Sequence, residues 1–412
     1  MLLFRQNDKS LLTPEFCLLM GVTFLAFCNI SLFYGLNDYL KACGIPSFWR
    51  GLLIGLEPCT ALVARPLVSP FLGVRNSVPV VAASLLILMG ALLSYSFAGV
   101  LWTLAVVRIV HGLGFVLLVS ALATLLVAYL PPGRVGQGFG VFAIAGLLPY
   151  AVLPPVAEWL LPLAGSVPRV YASFTPVLLL PLLVLPYLNR RIRRLDNDGA
   201  ATHRRPTLAE IRADLRSPGV ARLLIANGLV FTSTTVVFFF MKDRLKEMDM
   251  HNVGLFFSVS TAATIGVRVF CGKLLDRMDR FAMLLAVLLL LSAILVLFSF
   301  VEGTGALLVL AGAYGMCIGF AMPQLNAAMF EISRPRMRGF NTNLMLFTMD
   351  AGYVFGPLLA GGLLALGTDT AHLFAWFAAC PMLGAFLAGW SRPSITGDAA
   401  GDGPGSLTDQ QS

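Results

Sequence analysis

Ionisable side chains lie inside long apolar stretches of this 412-residue chain, where a charge is unfavourable. Glu57 and Arg108 lie at comparable depth in the second and fourth stretches, and Asp350 lies near the middle of the eleventh. A charge in hydrocarbon costs several kcal/mol, so a residue of this kind is first interpreted as functional. A carboxylate beside a guanidinium has a protonation state that its partner controls. We therefore predict that Glu57 and Asp350 couple proton binding to a change of shape, with Arg108 modulating Glu57.

A structural interpretation stays open for each acid. Glu57 and Arg108 would then form a static salt bridge. Asp350 needs a cation, which Arg65 or Arg268 could supply, and that contact would then be a structural pair between two domains. The sequence alone does not choose between the two interpretations.

Other polar side chains in the same stretches form a second group of candidates. Asp38, at the outer end of the first stretch, is a fourth candidate for proton coupling and is otherwise simply solvated. The uncharged members predict a moderately polar substrate cavity with aromatic walls, unless each only hydrogen-bonds neighbouring helices together. They are Asn29, Tyr34, Tyr150, Asn227, Gln324 and Asn326.

The elements that position these residues are predicted to be membrane-spanning helices. The chain is 58% hydrophobic and 12% charged, whereas a soluble domain is about 25% charged. The apolar stretches are continuous and reach the ~20 residues that a helical span needs, which argues against a β-barrel. We expect an all-α integral membrane protein with about twelve spans, near residues 15–37, 50–72, 78–98, 101–129, 137–160, 170–188, 219–241, 252–275, 281–301, 305–331, 340–366 and 371–390.

The chain repeats itself at half its length. Arg65 recurs as Arg268, since 268 − 65 = 203, and Gly112 recurs as Gly315 at the same offset. Such a repeat predicts two pseudo-symmetric six-helix bundles. The expected division is a cytoplasmic N-terminus (1–14), a first bundle (15–188), a cytoplasmic linker (189–218), a second bundle (219–392) and a disordered cytoplasmic tail rich in Gly, Ser, Asp and Gln (393–412).

The basic residues are distributed unevenly between the two predicted sides of the membrane. A dense arginine cluster lies in the polar segment 189–217. Since cytoplasmic loops carry the excess of Lys and Arg, both termini are predicted to be cytoplasmic. This explains the net charge of +8 without a nucleic-acid partner, although the cluster could instead bind lipid or another protein. The opposite side has a balanced group of charges, expected to follow a span that ends at 241: Lys242, Asp243, Arg244, Lys246, Glu247 and Asp249.

Signatures of soluble enzymes are absent from the sequence. It has no Walker loop, no HExxH and no GxSxG motif, so a pump that hydrolyses ATP on this chain is excluded. The seven cysteines show no metal-ligand spacing and the four histidines are far apart. No metal, cofactor, disulfide or catalytic residue is predicted.

A charged turn after the eighth span resembles the best-known signature of the major facilitator superfamily, Gly-x-Leu-x-Asp-Arg-x-x-Arg. The residues that match it are Gly272, Leu274, Asp276, Arg277 and Arg280. At the equivalent turn of the first half, Ser69 stands for the Gly and Gly73 for the Asp, so that copy lacks its acidic residue.

The fourth span resembles the same family through a second pattern, Arg-x-x-x-Gly-x-Gly, matched by Arg108, Gly112 and Gly114. In proton antiporters of the family this arginine is tied to proton transfer. The resemblance covers residues 15 to about 392 and is closest in character to bacterial efflux permeases of the arabinose-efflux or multidrug type.

The resemblance implies transport by alternating access, in which two bundles rock about a central cavity. It further implies a monomer in the bacterial inner membrane, with protons and a small-molecule substrate as partners besides the lipid bilayer. A conformational latch on the cytoplasmic side would be formed by Arg65, Arg268, Gly272, Asp276, Arg277 and Arg280.

Three functional hypotheses follow. The first is proton-coupled efflux of a small organic solute. The second is import of a nutrient or metabolite by the same fold, as a symporter or facilitator. The third is a polytopic membrane enzyme or sensor, which would require a catalytic cluster at the membrane surface, and the sequence shows none. The first hypothesis is preferred because the proton-antiporter pattern and two buried acids occur together.

Overall fold

A computed structural model gives the structure of residues 12–68, 72, 74–129, 135–195, 208–250, 252–271, 278–334 and 337–391. The regular structure of these residues is helical, without a strand among them. Twelve long helical elements, labelled α1 to α12, follow one another along the chain. A short helix, Leu208–Leu215, precedes α7.

The first half of the chain contains α1 to α6. Thr13 begins α1, because its hydroxyl accepts a hydrogen bond from the backbone N–H of Phe16 at 3.2 Å. A 3-10 turn, Leu32–Gly35, interrupts this helix, and a second 3-10 turn, Thr175–Leu178, interrupts α6. The bounds are Pro14–Ala42 for α1, Ser47–Val68 for α2, Val74–Ser94 for α3, Leu101–Tyr129 for α4, Val135–Ala164 for α5, and Val167–Ser173 with Leu179–Leu195 for α6.

The second half contains α7 to α12. Asp279 caps α9 by accepting hydrogen bonds from two backbone N–H groups at 3.0 Å. Asp369 caps α12 in the same way, and the hydrogen bonds from the backbone and ring of His372 lower the pKa of this exposed carboxyl. The bounds are Pro218–Glu247 for α7, Gly254–Phe270 for α8, Arg280–Phe300 for α9, Thr304–Ile332 for α10, Arg338–Ala365 for α11, and Thr370–Phe377 with Ala379–Gly389 for α12.

Eleven of these helices, within the described residues, are long and apolar enough to cross a membrane. The exception is α8, whose 17 residues rise about 26 Å, slightly less than a hydrocarbon core of about 30 Å. The expected eighth span of 252–275 is therefore corrected, since the helix ends at Phe270 and residues 272–277 lie outside the described part. The predicted all-α fold with about twelve spans is confirmed, whereas the predicted domain boundaries stay a prediction.

Close helix contacts repeat at the offset that the sequence shows. A Cβ atom on Gly112 would lie 2.5 Å from the carbonyl oxygen of Glu57, and one on Gly315 would overlap that of Ser260. Both partners obey the same spacing, since 315 − 112 = 203 and 260 − 57 = 203. Because only glycine lets these backbones approach, α2 packs on α4 as α8 packs on α10.

The two halves meet through a second pair of related contacts. Gly51 of α2 lies against the backbone of Pro357 in α11, and Gly254 of α8 lies against that of Pro154 in α5. These also differ by 203 residues (254 − 51 and 357 − 154). With twelve alternating spans, the chain starts and ends on one side, called here the terminal side. The glycine contacts lie toward the other side, called the distal side, which the structure therefore holds closed at α2/α11 and α5/α8.

Candidate functional site

The predicted pair of Glu57 and Arg108 lies inside the first half. Ten residues of helix separate Glu57 from the start of α2, which places it about 15 Å deep and near the middle of a span. An Nη atom of Arg108 lies 3.5 Å from its carboxylate. Arg108 is 1% exposed and Glu57 is 6% exposed, so both charges are removed from solvent. Such a pair is stable only when other hydrogen bonds complete it.

Those other hydrogen bonds come from the backbone of α2. Arg108 donates to the carbonyl oxygens of Leu53 at 3.0 Å and Ile54 at 2.8 Å. Its guanidinium also lies 5.5 Å from the ring centre of Phe33 in α1, a cation–π distance. Arg108 is thus held by three groups besides the carboxylate, and it can keep its position when the charge of Glu57 changes.

His111 lies one turn after Arg108, fully buried beneath the same Phe33 ring at 4.8 Å between centres. Neither ring nitrogen has a hydrogen-bond partner among the described residues. The sequence analysis set this histidine aside because it belongs to no histidine cluster. Its position beside a buried arginine could have been read from the spacing of the two residues on α4.

Asp350 forms the second buried ion pair, and this one crosses between the halves. Its carboxylate accepts hydrogen bonds from Nε of Arg65 at 2.7 Å and from Nη2 at 3.3 Å. The side chains are 7% and 13% exposed. The sequence left Arg65 and Arg268 as possible partners of Asp350, and in the structure the partner is Arg65. Two parallel N–H bonds fix both the distance and the orientation of the groups, so α2 and α11 are joined in one register.

Helix α2 takes part in both pairs. Glu57 and Arg65 are eight residues apart on it, about two turns, and Pro58 lies between them. The internal repeat does not supply second copies, since the equivalents of Glu57 and Arg108 are Ser260 and Ala311, and the equivalent of Asp350 is Leu147 at 350 − 203. The two halves therefore share their helix packing, but the two ion pairs have no counterparts at the equivalent positions.

The predicted latch is only partly within the described structure. Gly272, Asp276 and Arg277 lie outside the described residues. Arg268 lies in the last turn of α8, and its Nε has no hydrogen-bond partner among the residues described. Arg280 begins α9 and contacts Glu331 at 3.2 Å, a half-exposed pair within the second half.

Asp38, the fourth candidate for proton coupling, lies on the distal side. It contacts Lys246 of α7 at 2.6 Å, with side chains 25% and 49% exposed. In this structure Asp38 is therefore paired with Lys246 and is not simply solvated. The contact joins the two halves, as the pair of Arg65 and Asp350 does, but at the surface.

A polar group that the sequence analysis missed lies beside Asp38. Lys242 of α7 is 2.8 Å from Glu158 of α5, and the hydroxyl of Tyr34 donates to the same carboxylate at 2.5 Å. Asn37 donates to Asp243 in the next contact along α7. The contacts of Lys242 and Asp243 join α7 to the first half, whereas the contact of Tyr34 with Glu158 joins α1 to α5 within that half.

The reason for the miss is the length of α7. The seventh span was expected to end at 241 and the following charges to lie in a loop, but the helix continues to Glu247. Lys242 and Asp243 are consequently buried, at 4% and 8% exposed. Glu158 was detectable, since it is an acidic residue within the predicted fifth span.

The amide candidates for the substrate cavity differ in their surroundings. Asn227 donates to the carbonyl of Met345 at 2.8 Å and to Thr348 at 2.9 Å, so it joins α7 to α11. Asn326 donates to the carbonyl of Met322 in its own helix at 3.0 Å. Asn227 therefore hydrogen-bonds two helices together, as the structural alternative expects, whereas the hydrogen bond of Asn326 stays within α10.

Among the remaining candidates, Tyr150 contacts the other half. Tyr150 of α5 is half-buried and packs against Phe238 of α7 at 5.4 Å between ring centres. Asn29 and Gln324 are 1% and 3% exposed, and the amide of Asn29 has no partner among the described residues. Aromatic rings of the two halves therefore meet at Tyr150 and Phe238.

The comparisons with known proteins agree on one family. A family model described as the Major Facilitator Superfamily matches residues 18–357 and 223–404. Among proteins with curated descriptions, none matches the sequence of this chain.

Two solved structures resemble the fold over nearly its whole length. The nucleoside transporter NupG has a TM-score of 0.74 and 14% identity, covering 92% of this chain and 99% of its own. A bacterial homologue of the human lysosomal transporter Spinster, in an inward-facing and occupied conformation, has a TM-score of 0.69 and 12% identity, covering 91% and 95%. At these identities the likeness concerns the fold alone.

Proposed function

This chain belongs to the major facilitator superfamily, and on that premise we propose that it is a secondary active transporter that exports a small organic solute in exchange for protons. Membership makes it a multi-pass membrane protein of a transporter family. The proton coupling and the direction are our proposal. Two carboxylates buried within spans, each facing an arginine, support it most directly.

Glu57 is the first proton-binding group in this proposal. When it binds a proton, the attraction to Arg108 disappears, while Arg108 keeps its hydrogen bonds to the carbonyls of Leu53 and Ile54. The arginine therefore stays attached to the backbone of α2, and only the side chain of Glu57 is free to change its contacts. A residue whose partner stays fixed can take up and release a proton repeatedly without disordering the site.

Asp350 is the second group, and it would link the proton to the movement of the halves. Arg65 and Asp350 belong to different halves, so neutralising Asp350 removes a contact that favours one arrangement of the bundles. Because α2 carries both Glu57 and Arg65, a local change in this helix when Glu57 is neutralised reaches the pair of Arg65 and Asp350. Alternating access then follows from two protonation states that favour two packings.

Import by symport uses the same fold and the same two carboxylates, so it is the second candidate. The two directions differ in the sign of proton movement, which can be measured. Nucleosides should be among the compounds tested first, because a nucleoside transporter shares the fold. We further propose an inner-membrane monomer with both termini cytoplasmic, as the arginine distribution indicates.

The test is to follow internal pH with an acid-quenched dye in energised everted vesicles while adding a panel of organic compounds and nucleosides. Antiport predicts that at least one compound restores fluorescence. The response should be lost in Glu57→Gln and kept in Glu331→Gln, which neutralises a half-exposed acid outside the proposed site.

Acidification driven by inward substrate movement in de-energised vesicles would instead indicate symport. A full response in both Glu57→Gln and Asp350→Asn would contradict the assignment of the coupling residues. A protein that binds a compound but does not transport it in liposomes would instead support the hypothesis of a membrane sensor.

A further inference from the structure

The polar group around Lys242 has the geometry of a lock between the halves on the distal side. Lys242 of α7 is bound by Glu158 of α5 at 2.8 Å, and its ammonium lies 4.7 Å from the ring centre of Tyr34 in α1. We propose that this contact, called here the distal lock and formed by Tyr34, Glu158 and Lys242, holds the distal side closed and must break before that side can open. The inference rests on the alternating access of the proposed function, but not on its proton coupling.

Gly35 of α1 packs closely against the side chain of Lys242. Gly35 lies in the 3-10 turn of α1, and a Cβ there would be 2.9 Å from Nζ and 3.0 Å from Cδ of Lys242. A Cβ atom at this position would therefore force the end of the Lys242 side chain to shift. The turn therefore does two things, since it presents Tyr34 to the carboxylate and leaves room for the lysine stem.

A second ion pair one turn further along α7 provides an internal comparison. Lys246 contacts Asp38 at 2.6 Å, which is shorter than the 2.8 Å of the distal lock. Distance alone would make it the stronger contact. However, the side chain of Lys246 is 49% exposed, whereas the side chain of Lys242 is only 6% exposed. Water screens an exposed pair and already solvates its charges, so it adds little to closure.

Because the distal lock is buried, its charges contribute much more to closure of the distal side than those of the exposed pair. In the closed state Lys242 has exchanged water for Glu158 and the Tyr34 ring, and removing Glu158 leaves a buried charge without compensation. Opening the distal side returns Lys242 to water and removes that penalty. The loss of Glu158 should therefore shift the population toward the distal-open state rather than merely unfold the protein.

The experiment measures the distance across the distal side by double electron–electron resonance. Spin labels are placed on Ala42→Cys and Asn252→Cys, at the distal ends of α1 and α8, in the full chain with its seven native cysteines replaced. Glu158→Gln is expected to raise the ratio of distal-open to distal-closed molecules at least tenfold. Lys246→Met is expected to change that ratio less than threefold.

Three further variants test the pairing itself. Glu158→Gln combined with Lys242→Met removes both charges and should return the ratio toward that of the parent. Gly35→Ala should open the distal side as Glu158→Gln does, whereas Gly21→Ala, where a Cβ meets nothing within 4 Å, should not. These glycine variants keep the test informative if Glu158→Gln is produced poorly.

The proposal is overturned if Glu158→Gln leaves the ratio unchanged, if Lys246→Met shifts it equally, or if the double variant shifts it as far as Glu158→Gln alone does. A shifted ratio in a protein that moves no protons would support the lock while contradicting the proton coupling. The two proposals can therefore fail separately.

Discussion

Glu57 and Arg108 illustrate how a single buried residue controls both stability and coupling. Replacing Glu57 by Gln leaves the guanidinium buried without its counter-charge, a change that costs about 3–5 kcal/mol in other proteins. Arg108 retains two carbonyl hydrogen bonds and the Phe33 ring. We therefore expect a loss near the lower end of that range, measured as a lowered midpoint of thermal unfolding in detergent.

The matched control for this prediction is Glu331→Gln. Glu331 pairs with Arg280 at 3.2 Å, a slightly shorter distance than the 3.5 Å of the buried pair, but it is 47% exposed. A surface pair contributes about 0–1 kcal/mol, so this variant should unfold at nearly the parental temperature. Equal losses in the two variants would mean that burial does not set the strength of the Glu57 contact.

Arg65 and Asp350 give a second prediction at the scale of residues, because they interact through two hydrogen bonds. Arg65→Met and Asp350→Asn should each destabilise the protein, and the double variant should lose less than the sum. Coupling between contacting residues is typically about 0.5–3 kcal/mol. Thermal unfolding of all four proteins in one detergent measures it, and additive losses would show that the pair contributes nothing across the halves.

At the scale of helices, close approach depends on particular glycines. A Cβ on Gly315 would overlap the carbonyl oxygen of Ser260, so Gly315→Ala must separate α8 from α10. Overpacking of this kind costs about 1–3 kcal/mol. Gly312→Ala, on the same helix, meets only Val259 at 3.8 Å and should be neutral or slightly stabilising, since alanine favours helix. Unfolding midpoints compare the two, and equal effects would contradict the contact.

The same elements show how far the sequence could predict the structure. Apolar length and the 203-residue repeat were sufficient for the helical fold, and the depth of Glu57 and Arg108 in antiparallel spans was sufficient for their pairing. The distal lock was not predicted, because the end of α7 cannot be located from apolar length alone when a helix continues into charged residues. Lys242 and Asp243 are charged yet buried, since their partners come from α5 and α1, more than 80 residues away.

At the scale of the whole molecule, alternating access requires the distal ends of α1 and α7 to separate. Asp38 and Lys246 contact each other across this boundary at 2.6 Å, in a position that solvent reaches. Cysteines placed at these two positions and joined by a short, cleavable bifunctional thiol reagent should stop transport, and cleavage should restore it. The physical reason is that a covalent link removes one of the two packings between which the halves alternate.

A matched pair within one half separates this effect from general damage. Arg244 donates to the carbonyl of Val301 at 3.0 Å, and both residues belong to the second half. Cysteines at those positions, joined by the same reagent, should leave transport unchanged because the second half moves as one body. Transport that persists with α1 linked to α7 would contradict rocking of the two halves. Loss of transport in both linked proteins would place the required movement inside the second half instead.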